Sequence, residues 1–202
     1  MKHRLSRAPR GLTLLELLVA TTVTLLVGVA TLPAMGQFLG SARTAAAARL
    51  LVVRLQGLRA KSISRACSHG LLFERDEQGW FWFEVRDGNG NGLRTTEVRQ
   101  GKDDRLSGPH RLSDLLPQVD LGFPAGRSIP RIPPRRGSIR DLQRPVRFGN
   151  TGLLSFSPLG TSSSGTLYLS DGKRRLMAIV LYGRSGRIRV WMHDLEEGTW
   201  VL

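Results

Sequence analysis

The residue types that carry most protein chemistry are sparse in this chain. His3, His69, His110 and His193 are scattered, Cys67 is the only cysteine, and no His or Cys pair stands at metal-ligand spacing. No nucleophile and base are paired, so the expectation is a non-enzyme without metal or cofactor. Three local patterns remain. In residues 12–32 an apolar run carries one charge, Glu16. The turn Asp87-Gly88-Asn89-Gly90-Asn91-Gly92 imitates the start of a calcium loop, but Val98 occupies the twelfth position, where an acid is required. Its Asn-Gly steps are equally explained as turn residues that accept positive φ. In the third, Gly186-Arg187-Ile188-Arg189-Val190-Trp191, a strand would place Arg187, Arg189 and Trp191 on one face and Ile188, Val190 and Met192 on the other. Arg184 stands at the preceding turn, and Lys173, Arg174 and Arg175 lie on the segment before it. Guanidiniums and an indole in a row can hold phosphates and stack bases, whereas the structural alternative is an edge strand guarded by charge.

These residues need elements to position them. The 202-residue chain carries a formal charge of +14. Lys2, Arg4, Arg7 and Arg10 precede the apolar run, and without them 26 basic residues stand against 16 acidic ones, about +10. Such a balance favours polyanionic partners without naming one. The 21 apolar positions of residues 12–32 would reach about 30 Å as a helix, the thickness of a bilayer core. Their basic flank would stay in the cytoplasm, so the expectation is a single inner-membrane span with the rest of the chain in the periplasm. Pro33 should kink or open the helix. Beyond it, Leu51, Leu55, Leu58 and Ser62 form one helical stripe that should bury against a sheet, while Arg43, Arg54 and Arg65 form a second.

Strand patterns begin after Cys67, at residues 70–73 and 80–85, and resume at 146–148, 153–156, 166–169, 176–181 and 186–192. Turn signals separate them, and no helical pattern is available for parallel crossovers, which predicts antiparallel pairing. Residues 122–145 interleave five prolines with six arginines, the composition of an extended, mobile loop without a core of its own. That loop is either a tolerated insertion or a polyanion-binding arm. The expected organisation is a basic leader at 1–11, an apolar assembly helix at 12–35, an amphipathic continuation at 36–67 and an antiparallel β-domain at 68–202. The fold class is α+β, with a long N-terminal helix packed on an antiparallel sheet.

The stretch Gly11-Leu12-Thr13-Leu14-Leu15-Glu16 closely resembles the N-terminal signature of type IV pilins and pseudopilins. The resemblance implies cleavage between Gly11 and Leu12 by a prepilin peptidase and N-methylation of Leu12, which stands where the family usually has Phe. It implies that Glu16, fifth in the processed chain, pairs with the N-terminal amine of a neighbouring subunit in a hetero-oligomeric filament. The Asp-x-Asn-x-Asn-Gly turn, Phe156-Ser157-Pro158-Leu159-Gly160 and the closing Gly186-Arg187-Ile188-Arg189-Val190 are similar to the branch containing minor pseudopilin H of type II secretion and the minor pilin FimT. That similarity implies a structural subunit of a secretion pseudopilus or type IV pilus. FimT-like members use a Gly-Arg-x-Arg element to capture DNA in natural transformation, which makes DNA an alternative partner through Arg184, Arg187, Arg189 and Trp191.

Overall fold

A computed structural model describes residues 13–173, 175–194 and 197–202, with backbone alone for residues 29–41. Gly11 and Leu12, the expected cleavage and methylation site, lie outside the described residues, as do the rest of the leader, Arg174 and the side chain of Pro33. Helix α1 comprises Leu14–Ser64. The chain forms two compact units, Met1–Leu39 and Gly40–Leu202.

In the first unit, the described side chains of α1 are apolar and exposed, from Leu14 at 83% to Val27 at 58%. The threonines among them hide their polarity in the helix, since Thr21 and Thr22 donate to the Leu18 carbonyl and Thr24 to that of Ala20. Among the described residues, no helix is long and apolar enough to cross a membrane. This corrects the expectation of a single inner-membrane span with a periplasmic domain. The described side chains of residues 14–28 carry the Glu16 carboxylate and the hydroxyls of Thr21, Thr22 and Thr24 within the apolar stretch.

The second unit is α+β and antiparallel. One sheet has the strand order β3-β2-β1-β6 and is built from β1 (His69–Asp76), β2 (Gly79–Arg86), β3 (Asp104–Arg111) and β6 (Leu153–Phe156). The other runs β10-β9-β8-β7-β4, with β5 also on β7, and contains β4 (Asp120–Leu121), β5 (Val146–Arg147), β7 (Gly165–Ser170), β8 (Leu176–Tyr182), β9 (Arg187–Asp194) and β10 (Thr199–Val201). β4 and β5 share one side of β7 end to end, at Leu169 and Ser170 and at Thr166 and Leu167. Two short helices, α2 (Thr95–Arg99) and α3 (Leu112–Leu115), interrupt the connections.

The helical stripe does what its spacing dictates: Leu51, Leu55 and Ser62 are fully buried and Leu58 nearly so. With Ala47 and Ala48 they pack against both sheets, on Leu71, Phe73, Trp82, Leu154, Phe156, Leu167 and Ile179. Each such leucine contributes roughly 1.5–3 kcal/mol over its exposed state. Ser62 is tolerated there because its hydroxyl donates to the Leu58 carbonyl and accepts the His69 amide. The arginine stripe serves the unit itself: Arg43 donates to the Gln118 side chain at 2.7 Å, and Arg54 stands 5.8 Å from the centre of the Trp82 ring.

Residues 122–145 differ from the expected coreless loop. Ile129 and Ile139 are buried, and with Phe123, Ile132 and Leu142 they join Tyr168, Leu176, Ala178, Trp191 and Trp200 in a second apolar cluster on the outer face of the larger sheet. A bridge between Pro130 and Ser138 folds this segment into a small hairpin, and the Trp200 indole donates to the Pro130 carbonyl at 2.9 Å. Five apolar residues placed among the arginines and prolines seat the arm.

Candidate functional site

Glu16 lies in the first turn of α1, where its backbone amide donates to the Thr13 hydroxyl at 3.2 Å. Thr13-Leu14-Leu15-Glu16 therefore has the spacing of a helix-capping box, a legible signal that the pilin resemblance overshadowed. The Glu16 carboxylate stands among Leu14, Leu15, Leu17 and Leu18, all more than half exposed, so this end of the helix combines one negative group with an uncovered apolar surface.

The Asp87 turn is organised around its own carboxylates. Asp87 Oδ1 accepts the amides of Asn89 and Gly90, and Oδ2 accepts that of Gly92 at 2.8 Å. Asp103 Oδ1 accepts the Gly88 amide and its Oδ2 that of Arg94. The side-chain amides of Asn89 and Asn91 donate to the two oxygens of Glu97, and these bonds hold its carboxyl below the usual range. The acid and amide side chains thus spend their capacity on the loop itself. Among the described residues, no group of three or more His, Cys, Asp or Glu side chains could hold a metal ion.

In β9 the expected alternation holds for Ile188 and Val190, which pack against the main core, but not for Met192, which is 39% exposed near the sheet edge. Arg187 is exposed, and the Arg189 guanidinium lies 5.8 Å from the centre of the Tyr182 ring. Trp191 is not in a solvent-facing row with them: it packs under the arm, and its indole nitrogen is buried without a partner. Arg184 is exposed at the hairpin turn. Gly186 has φ +61°, and a Cβ there would meet the Gly160 carbonyl oxygen at 2.2 Å. Arg59 fixes this junction by donating to the carbonyls of Gly160 at 2.9 Å and Ser185 at 3.1 Å. The glycine of the Gly-Arg-x-Arg element is thus required by packing, whatever its arginines bind.

The ion pairs divide the molecule electrostatically. Those among the described residues are Lys61–Glu84, Arg86–Asp104, Arg94–Glu97, Arg99–Glu74, Arg105–Glu74 and Arg111–Asp76, all on the smaller sheet, the helix above it or the adjoining loop. Among the described residues, none of these pairs involves Arg131, Arg135, Arg147, Arg184, Arg187 or Arg189. His193 is buried between β8 and β10, neither ring nitrogen makes a well-formed hydrogen bond among the described residues although the Gly198 backbone is near, and burial pushes its imidazole down. His69 Nδ1 donates to the Cys67 carbonyl at 3.0 Å, and burial raises the Cys67 thiol, so neither residue is activated by the other. A cavity of about 250 Å³ beside β4, lined by Gln118, Asp120, Phe123 and Asp171, holds no nucleophile with a base. Comparison of the chain with protein-family models, curated proteins and solved structures finds no match.

Proposed function

We propose that the chain is a structural subunit of a pilin-like filament, a minor pseudopilin or minor pilin, rather than an enzyme. One observation carries this reading: an N-terminal helix whose described side chains are apolar, exposed and interrupted by the single carboxylate of Glu16. An uncovered apolar helix is stabilised by packing among the helices of other subunits. In such a dry environment a carboxylate requires a cation, and the N-terminal amine created by prepilin peptidase between Gly11 and Leu12 supplies one. The α+β unit then rides on the filament as the part exposed to partners, in a type II secretion pseudopilus or a type IV pilus.

Glu16 has two competing roles, the helix cap and the intersubunit ion pair, and they separate experimentally. Gln completes a capping box but carries no charge. Glu16→Gln is expected to preserve helix content and yet abolish incorporation into filaments when the chain is co-expressed with its pilus or pseudopilus subunits, with Glu16→Ala behaving alike. Normal incorporation of Glu16→Gln would sink the proposal.

A second reading, DNA capture, is favoured by Arg184, Arg187 and Arg189, which carry no ion pair among the described residues. Trp191 leaves the binding set because the arm covers it. The reading then rests on charge without base stacking, and its test belongs to the whole charge distribution.

A further inference from the structure

Arg147, at the end of β5, pairs in register with Thr166 of β7 and so stands on the larger sheet beside the arm. Its guanidinium lies 5.6 Å from the centre of the Tyr168 ring and 6.0 Å from that of Phe123, two rings whose centres are 4.7 Å apart. Its Nε donates to the Arg144 carbonyl at 3.0 Å and one terminal nitrogen donates to the Asp141 carbonyl. The plane is therefore fixed by backbone, and the remaining terminal nitrogen is left for another acceptor. Among the described residues, it has no ion pair.

Across this spot the arm brings two further cations. Ile129, Ile132 and Ile139 seat the arm on the face that Tyr168 shares, while the intervening Arg131 and Arg135 remain exposed. The bond from the Arg131 amide to the Gly137 carbonyl at 2.8 Å and that from the Ile139 amide to the Ile129 carbonyl at 2.7 Å keep the hairpin closed. Burial, the largest influence on the Tyr168 phenol, pushes it up, and Arg147, Arg135 and Arg131 all pull it down, so the three cations act on one hydroxyl. A phenol kept protonated is a donor.

The geometry points to an anion site at the junction of arm and sheet, in which the Tyr168 hydroxyl and the guanidiniums of Arg131, Arg135 and Arg147 hold a phosphate monoester group. A tetrahedral dianion suits several converging donors with no acceptor among them, and guanidinium forks match its oxygens. The site is separate from Arg187 and the Gly-Arg-x-Arg hairpin, and it does not rest on the filament reading.

Isothermal titration of the full chain with pyrophosphate, at constant ionic strength, tests it. Binding is expected to weaken at least tenfold in Arg131→Gln plus Arg135→Gln and several-fold in Tyr168→Phe, and to be unchanged in Arg75→Gln, an exposed arginine of the smaller sheet. Tyr168→Phe removes one oxygen from a packed ring, so it remains informative even if the double variant unfolds. Inorganic phosphate and an oligonucleotide with or without a 5′-phosphate identify the source. Competition by inorganic phosphate supports a free ligand, and competition by the 5′-phosphorylated oligonucleotide alone supports a nucleic-acid end. Absence of pyrophosphate binding, equal loss in all variants, or competition by the unphosphorylated oligonucleotide as strong as by the phosphorylated one would overturn the assignment.

Discussion

At the scale of single residues, several side chains that suggest chemistry are used for structure. Asp87 accepts three backbone amides while 6% exposed, and Asp87→Ala takes the charged acceptor of all three from the turn. The substitution is expected to cost about 2–4 kcal/mol, read as a lower urea midpoint at unchanged slope. Added calcium should not restore it, since the carboxylate serves the turn and not an ion. Asp87 was legible as a turn residue from its Asn-Gly context, whereas Asp103, sixteen positions later, was not. Its role exists only because β3 returns the chain beside the turn. Glu16 shows the reverse case, because Thr13-x-x-Glu16 states a helix start in the sequence itself.

At the scale of elements, amphipathic spacing placed α1 correctly over its buried stripe and located most of the strands. It missed β3, whose Arg105, Ser107 and Pro109 break the apolar alternation, and the short β4 and β10, which exist only through their pairing with β7 and β9. It also misjudged the arm, since composition reports the prolines and arginines of residues 122–145 but not that Ile129, Ile132 and Ile139 converge on Tyr168 and Trp191. The arm, β9 and β10 meet around His193, whose ring packs edge-on against Trp200 at 4.8 Å. Burial depresses its folded pKa, opposed by Asp194 and the Gly198 carbonyl and assisted by Arg127. The folded state then binds fewer protons than the unfolded one just below the ordinary histidine range near 6.5, so stability is fully present above that value and is lost as pH falls. His110, also depressed by burial and by Arg54, acts in the same sense. Replacing His193→Leu should reduce, without abolishing, the fall in Tm between about pH 7.5 and 5.5.

At the scale of the whole molecule, a chain of formal charge +14 has the ion pairs of its described residues around the smaller sheet, and none of them involves Arg147, Arg187 or Arg189 of the larger one. The DNA reading predicts a gel shift with the full chain that weakens steeply with salt, at a log–log slope of roughly one per phosphate contacted, and a shallower slope in Arg187→Ala plus Arg189→Ala. No shift at low salt would remove that reading. The sequence by itself determined the α+β class, the apolar N-terminal helix with its single acid, the antiparallel pairing and the alternation of Ile188 and Val190. Each of these depends on neighbours within a turn or a strand, where period and turn chemistry act locally. Only the tertiary structure decided that Trp191 is covered, that residues 122–145 own an apolar core, that Gly186 is pressed against Gly160, and that Arg147 lies over the ring of Tyr168, on the face where the arm is seated. Those facts depend on strand register and on the path of distant segments over a sheet face, and a residue's own surroundings in the chain contain neither.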